Sequence, residues 1–527
     1  MEVTVKKGKL RGCMEKNVYG GNYYAFKGVP YAKPPIGPLR FEDPVEPDPW
    51  SDVKDATKFG DKCAQVVMGE IVSGSEDCLH LNVYTPCIKP DKKLPVMVSF
   101  HWGIFLMGSS NSELYGADYL VRKEVVLVTV NSRLGILGFL NLNDPVAPGN
   151  QGLRDCLMAL NWVKDNVSSF GGDPDNITLF GTCAGSCILF LLVKSGLAEG
   201  LYHKIICQSG IPTCPWVFTA ERHRDAPYKI ASALGCDSKD PKTIVEFFRT
   251  VDYHTLVKHQ EKLYDDLGKV RGIVPFGPTV DDKSSNPIVP RPPEEMQYAP
   301  LKVPLLIGHS TEEGLHLCKE SDYETMKKMN LQYADCLPIM HEKLERNGLN
   351  VHDATRLYDC DEPVNRESLK KYLYLVTDMA FVEDMYHYVQ IQLEKSSQPI
   401  YMYEFSYDTG DSLIKKLFNI TLPGCTHGED LSYLFYNNVM KIYGKNAPEP
   451  GTVKYRIIQY FTEMWTNFAR TGNPTPTKSR YVAVQWTPVQ RDSEECHYLR
   501  IASELQMRTK PKSSLTYKWL KLVKKKD

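Results

Sequence analysis

The segment "FGTCAG" (180–185) places Cys183 between two glycines in a Gly-x-Cys-x-Gly string. With serine at its centre, the same spacing is a nucleophile elbow, a tight turn that lifts a reactive side chain above a sheet at a helix N-terminus. Small flanking residues let the turn form. The free N–H groups and the dipole of the helix then favour a developing anion. The string alone is weak, because a structural cysteine can sit at such a spacing. Its context is stronger: "NITLF" (176–180) reads as a buried strand and "SCILFLLVK" (186–194) as an apolar helix. With sulfur at the tip, the chemistry is acyl transfer through a thiolate, which is intrinsically nucleophilic. A helix N-terminus and a histidine are the usual means of making a thiol reactive.

A raised nucleophile needs a rigid sheet below it. The runs "LPVMVSF" (94–100), "VVLVTV" (125–130), "NITLF" (176–180), "KIICQS" (204–209), "VPLLIG" (303–308) and "PIYMYEF" (399–405) are nearly continuous apolar stretches. Such runs predict strands buried on both faces of a largely parallel sheet. In "GNQGLRDCLMALNWVKDNVSSF" (149–170), Leu153, Leu157, Leu160, Val163 and Val167 recur every three or four residues, which predicts one apolar helical face. Asp173, Pro174 and Asn176 predict a turn into the strand that ends at Cys183. A second helix over 454–472 has Gly472 as its stop. Strands alternating with helices predict an α/β fold, a large, mostly parallel central sheet with helices on both faces. No repeat or linker divides the chain, so residues 1–527 are expected to form a single domain.

Composition bounds the function. The chain has 527 residues, 42% hydrophobic and 24% charged, with a formal net charge of -1. That is a globular composition with no electrostatic reason to bind nucleic acid. The apolar runs are too short to span a bilayer. Fifteen cysteines lie without metal-ligand spacing, and no cofactor fingerprint is present, so neither metal nor cofactor is expected. The start, "MEVTVKKGKLRG", lacks the apolar core of a signal peptide, which predicts a cytoplasmic protein. On that expectation the sequons at Asn166, Asn176 and Asn419 are chance turns. Oligomeric state is not readable.

Longer blocks go further. "FKGVPYAKPPIGPLRF" (26–41), "SEDCLHLNVYTP" (75–86), "NSRLGILGFL" (131–140), "GNQGLRDCLMALNWVKDNVSSFGGDPDNITLFG" (149–181), "FGPTVD" (276–281), "HSTEEG" (309–314) and "CTHGEDLSYLFY" (425–436) resemble the type-B carboxylesterases, the family that includes cholinesterases. The similarity is greatest to the intracellular α-esterases of insects and covers nearly the whole chain. It implies the α/β-hydrolase fold and hydrolysis of carboxylic esters by a serine, an acid and a histidine in that chain order. Carried onto this sequence, the acid is Glu313, the base His427 and the nucleophile position Cys183. The implied oxyanion donors are the N–H groups of Gly103, Ile104 and Ala184. Trp102, Phe105, Trp216 and Phe276 fall in the implied substrate pocket. Two buried ion pairs are implied as well, Arg40 with Glu76 and Arg133 with Asp155.

The departures cluster at the reaction centre. Where the family has His-Gly-Gly-Gly-Phe or His-Gly-Gly-Ala-Phe, this chain has "HWGIF" (101–105), and Thr182 stands where glutamate is usual. Ile104 keeps its N–H but adds a stiff branched side chain, and Trp102 replaces a glycine. The resemblance also implies a Cys63–Cys78 disulfide, while the mate expected for Cys236 falls at Phe247. A small hydrophobic ester-like ligand with weak or lost ordinary ester hydrolysis is the expected function. The alternatives are an active ester or thioester hydrolase using Cys183, or non-hydrolytic chemistry in the same pocket.

Overall fold

The computed structural model describes residues 1–67, 71–266, 274–317, 343–345, 348–360, 365–410, 412–443, 446–491, 495–510 and 518. Its centre is an eleven-stranded sheet. In chain order the strands are β1 (Cys13–Lys16), β2 (Asn22–Pro30), β3 (His80–Thr85), β4 (Leu94–Phe100), β5 (Val126–Val130), β6 (Gly172–Thr182), β7 (Lys204–Gln208), β8 (Leu305–Ser310), β9 (Ile400–Phe405), β10 (Cys496–Ile501) and β11 (Leu505–Lys510). The spatial order is β1-β2-β3-β5-β4-β6-β7-β8-β9-β10-β11. Neighbours from β5 through β10 run parallel, and the pairs at both edges are antiparallel.

Every residue of β5, β7 and β8 is buried, as continuous apolar runs require when both faces are covered. Successive residues feed opposite cores. Leu179 joins the larger apolar cluster and Phe180 the cluster on the other face. Helix α1 (Gln151–Asn166) buries Leu153, Leu160 and Val163, while Leu157 is only half-buried. Helix α2 (Ala184–Ser195) follows β6, and α3 (Val453–Thr471) ends at Gly472 in the left-handed conformation.

One boundary differs from the sequence reading. Asp173, Pro174 and Asn176 lie within β6, which begins at Gly172 opposite Leu94. The register shifts between Gly172 and Ile177, so these turn-forming residues occupy an irregularity inside the strand.

Both ion pairs are formed and buried. Arg40 holds Glu76 through two bonds of 2.6 Å, and Arg133 holds Asp155 at 2.8 and 2.6 Å. Cys63 and Cys78 form a disulfide. Cys236 is free.

Candidate active site

Cys183 sits at the junction of β6 and α2 with φ 58 and ψ −124, a backbone conformation that costs a non-glycine residue energy. Two contacts hold it there. Its N–H donates to the Gln208 carbonyl at 2.9 Å, and its own carbonyl accepts from Cys187 N at 3.1 Å. Gly185 explains the second small residue of the elbow. A Cβ there would stand 2.1 Å from the Phe100 carbonyl oxygen, so the elbow and the end of β4 can touch only through glycine.

The end of β4 carries the implied oxyanion loop. Gly103 has φ 121, and Ile104 and Phe105 have φ 48 and 64. Among the described residues, neither the Gly103 nor the Ile104 N–H donates a backbone hydrogen bond. Ala184 is the first residue of α2, where an N–H has no helical partner. Trp102, by contrast, is not in the left-handed region, so a glycine is not needed there by the backbone. Its N–H donates to the Tyr115 hydroxyl at 2.9 Å, and its indole meets Phe418 edge-on at 5.7 Å. The Ile104 side chain packs against Leu106, Tyr264 and Val274. Two of the sequence departures are thus absorbed differently: tryptophan by packing alone, isoleucine by packing at the expense of a strained φ.

Glu313 and His427 are joined. Glu313 Oε2 meets His427 Nδ1 at 2.5 Å, and both side chains are buried. Glu313 Oε1 accepts from Ser209 Oγ at 2.5 Å and Ser310 N at 2.7 Å. Burial alone would raise the Glu313 pKa, but the charge and bonds of His427, with those donors, hold it below the usual carboxylate value. For His427 burial pulls downward, and the neighbouring Cys183 and Glu313 override it, so its pKa is raised.

Cys183 is among the groups that act electrostatically on His427. Among the described residues, His427 Nε2 has no hydrogen-bond partner.

Other predicted residues lie deeper. Trp216 is buried, donates from Nε1 to the Ala380 carbonyl at 3.1 Å and packs on Phe381. Phe276 is in the core, as is Phe105, which meets Phe139 edge-on at 5.6 Å. Thr182 is buried with its hydroxyl unpartnered.

Several neighbours escape a sequence reading. His316 stacks on the His427 ring at 4.7 Å, its Nδ1 bonds the Glu313 carbonyl at 2.7 Å, and Phe381 flanks both rings. Burial first, and the charge of His427 second, lower the His316 pKa and keep it neutral. Its spacing of three residues from Glu313 was the available signal. Below the elbow, Gln208 and Tyr403 donate to Asp430 Oδ2 at 2.6 and 2.8 Å, and Trp465 donates to Gln208 at 3.3 Å. No local pattern announces that network.

The sequence model described as "Carboxylesterase family" matches residues 1–519. The chain belongs to the carboxylesterase family. Among its relatives, the juvenile hormone esterase of Tribolium castaneum is 32% identical over 505 residues, covering 90% of this chain and 84% of that one. Esterase B1 of Culex pipiens is 31% identical over 516 residues, covering 96% and 94%. The crystal structure of juvenile hormone esterase from Manduca sexta, with OTFP covalently attached, superposes with a TM-score of 0.86 at 28% identity, covering 99% of both chains. The carboxylesterase fold is thus the α/β-hydrolase fold implied by the sequence blocks.

Proposed function

We propose that this carboxylesterase-family protein binds small hydrophobic esters or related ligands at Cys183, and turns ordinary esters over weakly. The observation that carries the reading is Cys183 on a strained elbow, in a chain that also buries the His427–Glu313 pair. In the reaction it supports, Cys183 Sγ passes its proton to His427 and bonds the ester carbonyl carbon, while the C=O π pair moves onto oxygen. The oxygen, now an anion, is met by the N–H groups of Gly103, Ile104 and Ala184. Collapse breaks the bond to the leaving alkoxide, which takes a proton from His427, and water then hydrolyses the thioester with His427 as base. Glu313 orients the imidazole and stabilises its charged form.

The slow step follows from two residues. Sulfur is larger than oxygen, so the acyl carbon sits farther from donors placed for serine. Ile104 carries one of those donors on a strained, branched residue. Turnover is measured by mixing the protein with an aryl ester of coloured leaving group. A stoichiometric burst followed by slow release is expected. Sustained fast release abolished by Cys183→Ala overturns the weak-turnover reading.

A second reading, a productive cysteine hydrolase, is favoured by one observation. The Trp102 ring packs on Phe418 and beside Gly428, the Ile104 side chain packs against Leu106, Tyr264 and Val274, and among the described residues the Gly103 and Ile104 amides have no backbone partners. Residence in the cytoplasm belongs to the same proposal, supported by the many free cysteines among the described residues. The Cys63–Cys78 disulfide pulls the other way. Fractionation of the source cells decides it.

A further inference from the structure

Behind the turn that carries His427 lies a cavity of about 560 Å3. Its walls include Tyr119, Ser412, Glu429, Ser432, Tyr433 and Tyr436, and it shares no residue with the nucleophile, base, acid, oxyanion loop or substrate pocket described above. Glu429 is 1% exposed, and among the described residues its Oε2 has no hydrogen-bond partner. The Ser432 hydroxyl is likewise buried, and among the described residues it has no partner. A buried carboxylate left in this condition is costly, and an incoming donor relieves it.

The surrounding charges leave that role open. Lys415, the cation acting on Glu429, is held by Asp408 at 2.8 Å. Asp430 is committed to Gln208 and Tyr403, and Ser412 lines the cavity beside Glu429 and opposes the rise of its pKa. Lys454 of α3 also borders the cavity. Aromatic rings supply the rest of the wall: Tyr407 meets Tyr433 at 6.2 Å, and Tyr119 meets Tyr436 at 5.7 Å. A volume of several hundred Å3 is that of a small-molecule site. Ring faces beside a carboxylate favour an organic cation.

We propose that this cavity is a second ligand site, which takes a small amine with an aromatic body, its ammonium on Glu429 and Ser432 and its ring among the tyrosines. Burial pushes the Glu429 carboxyl up to about 7, with Ser412 and Lys415 opposing. The ionised carboxylate is the binding form, so affinity rises with pH through that value and falls about tenfold per unit below it.

The test uses the full chain and calorimetric titration with 2-phenylethylamine, 2-phenylethanol and phenylacetate. The amine is expected to bind at least about tenfold more tightly than the alcohol at about pH 8, with phenylacetate not binding. That advantage should fall about tenfold at about pH 6. Glu429→Gln should erase it while leaving the alcohol unchanged, and Ser432→Leu should weaken both by filling the cavity. Equal affinity of amine and alcohol for the unmodified protein overturns the proposal. So does amine binding that ignores pH or both variants, which would place the amine in the catalytic pocket. The comparison on unmodified protein decides the matter even if a variant does not fold.

Discussion

Putting serine at position 183 and glycine at positions 102 and 104, singly and together, separates the two causes of the slow turnover we propose. Ile104 has φ 48, a left-handed conformation that costs an L-residue about 1–2 kcal/mol. In the proposed mechanism its amide is one of three donors to the oxyanion, and a lost donor costs about 3–4 kcal/mol, or roughly 100- to 1000-fold in kcat. Cys183→Ser alone leaves that term in place. It should therefore recover little, whereas Cys183→Ser with Ile104→Gly and Trp102→Gly should exceed it by about 100-fold or more. Trp102 is unstrained, so Trp102→Gly should add less than Ile104→Gly. The gains should exceed the product of the single effects, because residues of one catalytic unit are not additive. The assay is the initial rate on a short-chain 4-nitrophenyl ester, with thermal unfolding to confirm that each variant folds. If Cys183→Ser alone matches the triple variant, the oxyanion argument is wrong. If the triple variant is inert, the damage lies elsewhere, with Thr182 and its unpartnered buried hydroxyl the next position to change.

Breaking the buried Arg133–Asp155 pair with Arg133→Ala should lower unfolding stability by about 3–5 kcal/mol in denaturant titration, because Asp155 is left charged and buried. The Glu313–His427 pair should shape the pH dependence of stability. The depressed Glu313 pKa gives stability present above the ordinary carboxylate value and lost as pH falls through the lower one. The raised His427 pKa gives stability present below the ordinary imidazole value and lost as pH climbs through the higher one. Glu313→Gln should flatten both limbs of a stability-against-pH curve, and an unchanged curve would refute the linkage. Glu429 works in the opposite sense to Glu313. Its pKa rises from 4.5 to about 7 on folding, so the folded protein holds the extra proton between those values and stability falls as pH rises across them. Glu429→Gln should therefore gain about 3 kcal/mol relative to the unmodified protein at about pH 8, and much less at about pH 5, by denaturant titration.

The parts legible in the sequence are those whose physics is local. A strand buried on both faces must be apolar throughout, so β4, β5, β7, β8 and β9 could be placed within two residues at either end. The elbow was legible because glycine is demanded where backbones touch. Matching blocks supplied Glu313 and His427, whose meeting depends on β8 and a loop more than a hundred residues apart, a distance no periodicity spans. The irregular start of β6 was missed because turn-forming residues can sit in a strand where the register shifts. Backbone angles were also beyond reach: Trp102 and Ile104 look like equal offences against a glycine loop, yet only one of them has positive φ. The stack of His316 on His427, and the Asp430 network, arise from side chains brought together by tertiary packing.

The segment bounded by Cys63 and Cys78 is fastened more than once. Besides the disulfide, Glu76 within it is clamped by Arg40. Gln65 brackets Gly108 with two bonds of 2.8 Å, one from each end of its amide, just past the oxyanion loop. Only the first of these fastenings depends on redox setting. A cell that reduces the disulfide removes a covalent latch worth about 3 kcal/mol for a loop of this size, but the arginine clamp and the amide bracket stay in force. The chain beside Gly108 thus keeps its polar fastenings whatever the redox setting.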